Sequence, residues 1–175
     1  ASELGRRVGG VEGRTQGDMG TRDAVALDLY LQGRQAWRQR RPATLAQAER
    51  LFGEAVERDP DYARAWSGLA DTYLLQADYG IRPAHEAIAL AEPAAVRAIT
   101  LDPGLGEAWA SVGLLRSQAG QLGPARRSLE EATRLDPRYE MAWMWLAGVH
   151  GESGQRETQR EVLEQAQQLN PLEPV

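Results

Sequence analysis

Four dipeptides of Asp or Asn followed by Pro divide the chain at regular intervals, and other residues keep a fixed distance from them. The dipeptides are Asp59-Pro60, Asp102-Pro103, Asp136-Pro137 and Asn170-Pro171, so successive prolines are 43, 34 and 34 residues apart. A tryptophan lies six residues after each of the first three prolines: Trp66, Trp109 and Trp143. An alanine lies five residues before all four: Ala55, Ala98, Ala132 and Ala166. A period of this length indicates a stack of small structural repeats.

Each repeat is predicted to be a pair of packed helices. Trp66, Leu69, Ala70 and Tyr73 are spaced i, i+3, i+4 and i+7, which places them on one face of a helix. A small residue lies ten positions after each of the first three prolines, where it lets the second helix approach closely: Ala70, Gly113 and Ala147. Proline ends the second helix because it lacks an amide hydrogen and restricts the residue before it. One hairpin cannot bury both of its faces, so neighbouring hairpins must stack.

The composition of the chain changes near residue 23. Residues 1–22 contain six glycines and no apolar periodicity, and they are predicted to form an arm or linker. Residues 23–171 are rich in helix-forming residues, and no run shows the alternation of a β-strand. We predict repeats at about 24–60, 61–103 with an insertion, 104–137 and 138–171, followed by a tail at 172–175. Pro93 predicts a kink or break within 89–93, and the Gln-rich helix 158–169 is predicted to be a polar cap.

The composition excludes several kinds of enzyme chemistry. All 20 basic residues are Arg, so there is no Lys for a Schiff base or for a phosphate-binding loop. The chain has no Cys and only two His, of which His150 is expected in the core and His85 on the surface. We therefore expect no catalytic residue, no metal and no cofactor. The net charge of −5 argues against nucleic acid, no run predicts a membrane-spanning helix, and a cytoplasmic location is expected with the periplasm as the alternative.

The pattern resembles that of the tetratricopeptide repeat (TPR) family. The resemblance is carried by the 34-residue period, the in-phase tryptophans, the segment with Ala125, Leu129 and Ala132, and the proline that ends each repeat. It covers about residues 24–171 and implies an all-α, right-handed superhelix, an α-solenoid of about four helix-turn-helix repeats. The chain departs from the family pattern in its first repeat, which has no Trp-led helix, and at Arg116, which replaces an aromatic residue.

Four short segments are similar to the TPR regions of bacterial multidomain regulators, where the repeats follow winged-helix or class III nucleotide cyclase domains. These segments are residues 28–34, 59–63, 68–71 and 78–80. The similarity implies a non-catalytic scaffold that couples or regulates such a protein. Two alternatives stay open: a repeat fragment of an enzyme whose catalytic domain lies outside this chain, and a self-association module or homodimer.

The family resemblance also implies a binding surface, since the first helices of successive TPR repeats line a concave groove that holds a protein or peptide segment. The corresponding positions are Arg64, Ser67, Asp71, Leu74 and Leu75, then Glu107, Ala110, Leu114, Ser117 and Gln118, and finally Met141, Met144, Trp145, Gly148 and Glu152. Met141, Met144 and Trp145 are interpreted as exposed anchors for a peptide or helix. The alternative is that they pack on an adjoining helix or on a second copy of the chain.

The character of this groove predicts the class of its partner. The groove is apolar and mildly acidic, which predicts an amphipathic or basic-apolar segment. The Lys-based clamp with which some members of the family hold a carboxyl terminus is missing, because the chain has no Lys. Arg38, Arg40 and Arg41 with Trp37 form the one basic-aromatic cluster, which is interpreted as a solvated helix end, with contact to an anionic partner as the alternative.

Overall fold

The computed structural model describes residues 19–169, and within this range the chain forms eight α-helices and no β-strand. The helices are α1 (Ala24–Arg38), α2 (Pro42–Arg58), α3 (Ala63–Asp78), α4 (Ala84–Leu101), α5 (Gly106–Gln118), α6 (Leu122–Leu135), α7 (Glu140–Glu152) and α8 (Arg156–Leu169). Most of the predicted arm, the last Asn-Pro dipeptide and the predicted tail lie outside the described residues. None of the described helices is long and apolar enough to cross a membrane.

The helices pack as four hairpins that stack in chain order. Each odd-numbered helix packs on the even-numbered helix that follows it, and each hairpin then packs on the next one. Glycine permits the closest approaches, since a Cβ added to Gly113 would lie 2.5 Å from Leu129 Cγ and one added to Gly33 would lie 2.7 Å from Phe52 Cε1. Leu129 and Phe52 each lie eight residues before a repeat-ending proline. The predicted division into repeats at 24–60, 61–103, 104–137 and 138–171 stays a proposal.

The three in-phase tryptophans connect each repeat to the turn before it. The indole Nε1 of Trp66 donates a hydrogen bond to the carbonyl oxygen of Pro60 at 2.9 Å. Trp109 makes the same bond to Pro103 at 2.8 Å and Trp143 to Pro137 at 2.9 Å. The fixed spacing of six residues is therefore set by a hydrogen bond as well as by packing, because the indole must reach the carbonyl group of the turn.

The turn inside each hairpin has one residue in the left-handed region of backbone conformation. In the last three hairpins this residue is glycine, with φ of 65° at Gly80, 73° at Gly120 and 75° at Gly154. In the first hairpin the same position is Arg40, with φ of 50°. This conformation costs a residue with a Cβ about 1–2 kcal/mol, whereas glycine adopts it freely. The first hairpin therefore keeps an arginine at a position that favours glycine.

Helix α4 continues through Pro93, so the break that was one form of the prediction within 89–93 does not occur, while the kink stays a prediction. Proline removes the hydrogen bond that its amide would donate to the carbonyl of Ala89. Both Ala89 and Pro93 are exposed, so water can solvate the unpaired carbonyl, while Ala91, Ala94 and Ala95 are buried against the neighbouring helices. Packing of this apolar side keeps the helix continuous past the proline.

The last helix, α8, buries only Val162 among its residues. Its exposed residues include Gln165, Gln167 and Gln168, as expected for a polar cap, but Leu163 and Leu169 are also exposed at 41% each. The outer side of α8 is thus mostly polar with two separate apolar side chains.

Candidate functional site

The odd-numbered helices lie side by side, and the predicted groove positions on them form what we call the inner face. Only part of this face is open. Seven of the predicted positions are buried: Ser67, Asp71, Leu74, Leu75, Glu107, Ala110 and Met141. The others are exposed or partly exposed: Arg64, Leu114, Ser117, Gln118, Met144, Trp145, Gly148 and Glu152. The open positions belong mainly to α5 and α7.

A buried polar cluster explains why part of the inner face is closed. The carboxylate of Asp71 on α3 accepts a hydrogen bond from the hydroxyl of Ser111 on α5 and another from the hydroxyl of Tyr139, at 2.5 Å, just before α7. Burial raises the pKa of Asp71 from its ordinary 3.8 to about 7, against the lowering effect of the two hydroxyl donors. Asp71 therefore holds three repeats together from inside and is not available to a partner.

An ion pair crosses the inner face beside this cluster. Arg34 on α1 donates to Glu107 Oε1 on α5 at 2.5 Å, so the contact passes over the helix between them. Burial acts to lower the pKa of Arg34, but the charge and hydrogen bond of Glu107, together with the nearby Tyr30 and Tyr139, raise the pKa above its ordinary value. The guanidinium carbon of Arg34 also lies 6.0 Å from the ring centroid of Tyr30 and 5.8 Å from that of Trp37. Glu107, expected in an open groove, is used within the molecule.

Helix α1 contributes to the inner face, which the sequence reasoning missed. Gly33 packs on Phe52 as Gly113 packs on Leu129, so Gly33 has the same place in its repeat. In the second repeat the inner-face positions lie at fixed distances from the small residue Ala70: three before it and one, four and five after it. The same distances from Gly33 give the inner-face positions of α1, which are Tyr30, Arg34, Trp37 and Arg38. This glycine was the signal that could have found them.

A cavity of about 310 Å³ lies between the end of α1 and the start of α7. We call it the arginine cavity, and its lining residues are Arg34, Trp37, Arg38, Arg40, Arg138, Tyr139, Glu140 and Met141. The sequence cluster of Trp37, Arg38 and Arg40 is thereby brought to α7, more than a hundred residues later in the chain, whereas Arg41 does not line the cavity. Arg40 Nη2 lies 3.0 Å from Met141 Sδ.

The three predicted apolar anchors differ in their exposure. Met141 is only 5% exposed, so the expectation that it is an open contact is wrong: it packs in the core and against Arg40. Trp145 is partly buried against the same core. Met144 is 47% exposed, and Gly148, one turn further along α7, is exposed as well. Met144 is the anchor that remains open on the inner face.

The two histidines lie where the sequence placed them. His150 is 6% exposed, and its Nδ1 is 2.8 Å from Gln155 Oε1, which satisfies one ring nitrogen in the core. His85 is exposed at the start of α4. Within residues 19–169 no group of three or more His, Asp or Glu side chains is arranged to hold a metal ion.

Comparison with known proteins gives a family match for one stretch of the chain. Residues 106–139, which contain α5 and α6, match the tetratricopeptide repeat family. No curated protein matches the sequence.

Several solved structures share the fold. TTC0263, a thermophilic TPR protein of Thermus thermophilus, has a TM-score of 0.70 at 17% identity, over 85% of this chain and 75% of that one. A mutant O-GlcNAc transferase of Thermobaculum terrenum has a TM-score of 0.64 at 25% identity, over 90% of this chain but only 29% of the transferase. The first TPR of Spaghetti (RPAP3), bound to an HSP90 peptide, has a TM-score of 0.57 at 18% identity, over 78% of this chain and 98% of that one. The predicted all-α TPR solenoid is therefore confirmed as the fold.

Proposed function

We propose that the chain is a non-catalytic scaffold that binds a segment of another protein along the open part of its inner face. The observation that carries this proposal is the exposure of Met144, whose side chain is 47% open on α7 while its neighbours Met141 and Leu146 are buried. Gly148 leaves space one turn further on, since nothing lies within 4 Å of a Cβ added there. A flexible thioether beside an open glycine suits an apolar side chain from a partner.

The partner we propose is an amphipathic segment. Its apolar side would contact Met144 and the partly exposed Leu114 and Trp145. Its polar side would meet Ser117, Gln118 and Glu152, and Ser117 Oγ already lies 3.4 Å from Glu152 Oε2 between α5 and α7. An amphipathic helix held in a groove makes contacts of this kind, with its apolar side against the groove.

The test is selection of peptides from a random display library, followed by calorimetry with the purified chain. We expect Met144→Gln to weaken the binding of selected peptides about tenfold, since truncation of a central apolar contact costs more than about 1 kcal/mol. Leu90→Gln is the matched control, because Leu90 is exposed at 39% but lies on α4, away from the inner face. Equal loss in both variants, or no loss in Met144→Gln, would rule out the inner face as the binding surface. Light scattering reports whether the bound species is a monomer.

We also propose that the scaffold is the coupling part of a bacterial signalling or transcription regulator. The support is the similarity of residues 28–34, 59–63, 68–71 and 78–80 to the TPR regions of such proteins. A second candidate is the repeat region of a larger enzyme, which is favoured by the likeness to the O-GlcNAc transferase at 25% identity over 29% of that chain. The complete reading frame that encodes the chain decides between the two, because it shows whether a DNA-binding, cyclase or transferase domain is joined to these repeats.

A further inference from the structure

The lining of the arginine cavity carries more positive than negative charge. Four of its lining residues are Arg34, Arg38, Arg40 and Arg138, and the one acidic lining residue is Glu140. Within residues 19–169 only Arg34 of these four has a carboxylate within 4.0 Å, that of Glu107. Arg38 and Arg138 are exposed and Arg40 is partly exposed, so an anion in the cavity would meet guanidinium groups that have no carboxylate partner. A protein of net charge −5 thus has a local cationic site.

Arg40 lines this cavity and has an unfavourable backbone conformation. The equivalent residues of the other three hairpins are glycines, whereas Arg40 has a φ of 50°. Strained backbone of this kind is concentrated at functional sites. The conformation places the guanidinium carbon of Arg40 5.4 Å from the ring centroid of Trp37 and Nη2 3.0 Å from Met141 Sδ. A thioether is a weak acceptor, so this contact leaves the partly exposed Arg40 without a carboxylate partner.

Trp37 and the start of α7 also form part of the cavity wall. The Trp37 side chain lines the cavity and is 6% exposed, and its Nε1 is buried with no hydrogen-bond partner among the described residues. The first residues of α7, Glu140 and Met141, also line the cavity, and α7 has no side-chain N-cap. A carboxylate at this place can accept hydrogen bonds from the guanidinium groups of the lining arginines.

We infer that the segment bound on the inner face is acidic, and that its Asp or Glu side chains occupy the arginine cavity between the end of α1 and the start of α7. The inference rests on the proposed scaffold function. Met144 lies one turn beyond Met141, so an apolar contact at Met144 and an anionic contact in the cavity fit one continuous segment. The sequence-based expectation was an amphipathic or basic-apolar segment, and the acidic groove positions were Asp71, Glu107 and Glu152. Asp71 and Glu107 bond instead to Ser111, Tyr139 and Arg34, so Glu152, at the far end of α7 from the cavity, is the acidic position that stays exposed.

The probe is a synthetic amphipathic peptide that combines Leu on one side with Glu on the other, measured by calorimetry on the whole chain. Two matched peptides replace every Glu by Gln or by Arg. We expect the Glu peptide to bind at least about tenfold more tightly than the Gln peptide, and its affinity to fall with added salt. Equal or tighter binding of the Gln or Arg peptide would overturn the acidic assignment, as would the absence of any binding of the Glu peptide.

The variant that isolates the cavity is Arg40→Gly. Glycine adopts a φ of 50° without steric cost, so this variant is expected to fold with an unchanged circular dichroism spectrum. We expect it to bind the Glu peptide about tenfold more weakly than the wild type. Arg126→Gln is the matched control, because it removes the same charge from an exposed position on α6 and should bind normally. Equal affinity of Arg40→Gly and Arg126→Gln would show that the cavity is not the site.

Two further measurements separate failure of this inference from failure of the scaffold proposal. Free glutamate and inorganic phosphate are titrated as small anions, and affinity equal to that of the Glu peptide would replace the acidic segment by a small-anion site. A selected peptide without acidic residues that depends on Met144 would overturn the acidic assignment and leave the scaffold function standing. Binding of the Glu peptide that depends on Arg40 but not on Met144 would support the cavity and count against the Met144 surface.

Discussion

The pKa of the Asp71 side chain is changed strongly by its position inside the protein. Its carboxylate is enclosed between α3, α5 and the residue before α7, and its two hydrogen-bond donors are Ser111 and Tyr139. Burial raises the pKa to about 7, and the nearby carboxylate of Glu107 adds to the rise while Arg34 opposes it. Between about pH 4 and pH 7, Asp71 is therefore protonated in the folded protein and ionised in the unfolded chain.

This difference predicts how the free energy of unfolding changes with pH. Because the folded-state pKa lies above the ordinary 3.8, the contribution of Asp71 is complete below about pH 4 and is lost as the pH rises to about 7. In Asp71→Asn this loss is absent. Between about pH 5 and pH 8 the stability of the variant relative to the wild type should rise by about 3 kcal/mol, measured by urea denaturation. Parallel pH profiles for the two proteins would contradict the prediction.

Within each hairpin, the distance between the two helices is set by small residues. Gly113 on α5 faces Leu129 on α6, and an added Cβ would lie 2.5 Å from Leu129 Cγ and 3.3 Å from the backbone carbonyl oxygen of Ala125. Gly53 on α2 is also within a helix, but nothing lies within 4 Å of a Cβ added there. Both glycines lower the stability of their helices through backbone entropy, but only at Gly113 would an added Cβ clash with a neighbouring helix.

Alanine substitution of these two glycines should change stability in opposite directions. Gly113→Ala forces the helices apart and is expected to lower the free energy of unfolding by about 1–3 kcal/mol. Gly53→Ala gains helix propensity without a clash and should raise it by about 0.5–1 kcal/mol. Thermal and urea denaturation of both variants measure the difference. A stabilised Gly113→Ala would mean that α5 and α6 pack less closely than described.

The elements themselves could be predicted from the sequence because their signals are local. The Asp-Pro dipeptides end α2, α4 and α6, and the tryptophan six residues later bonds to the proline carbonyl, so one spacing determines both features. A break at Pro93 does not occur, because the buried alanines of α4 keep the helix continuous, and this packing cannot be judged from the preference of one residue.

The inner face could be predicted only in part. The repeat phase gave the correct helix positions, but it could not show which of them are used inside the molecule. Asp71, Glu107 and Met141 were expected to be open to a partner, and each is instead paired with a residue from a distant repeat. Such pairs depend on the curvature of the stack, which no local spacing encodes. The same curvature brings Arg138 to Arg38 and Arg40 in the arginine cavity.

Taken over its full length, the described chain has contacts that an ideal solenoid lacks. In a simple repeat array each unit contacts only its neighbours, and stability is a sum of local contributions. Here Arg34 of α1 pairs with Glu107 of α5, Arg40 after α1 contacts Met141 of α7, and Asp71 of α3 bonds to the residue before α7. These contacts connect hairpins that are not adjacent in the stack, so they should make the first and third hairpins unfold together.

Arg34→Met tests this coupling, because methionine keeps much of the side-chain volume and removes the charge. We expect a loss of about 2 kcal/mol, since Glu107 is left largely buried without its partner, and faster hydrogen exchange in both α1 and α5. Arg50→Met is the matched control: Arg50 pairs with Glu54 at 2.8 Å, but both are exposed within α2, and the expected loss is below about 0.5 kcal/mol. Faster exchange confined to α1 would mean that the hairpins unfold independently, as in an ordinary solenoid.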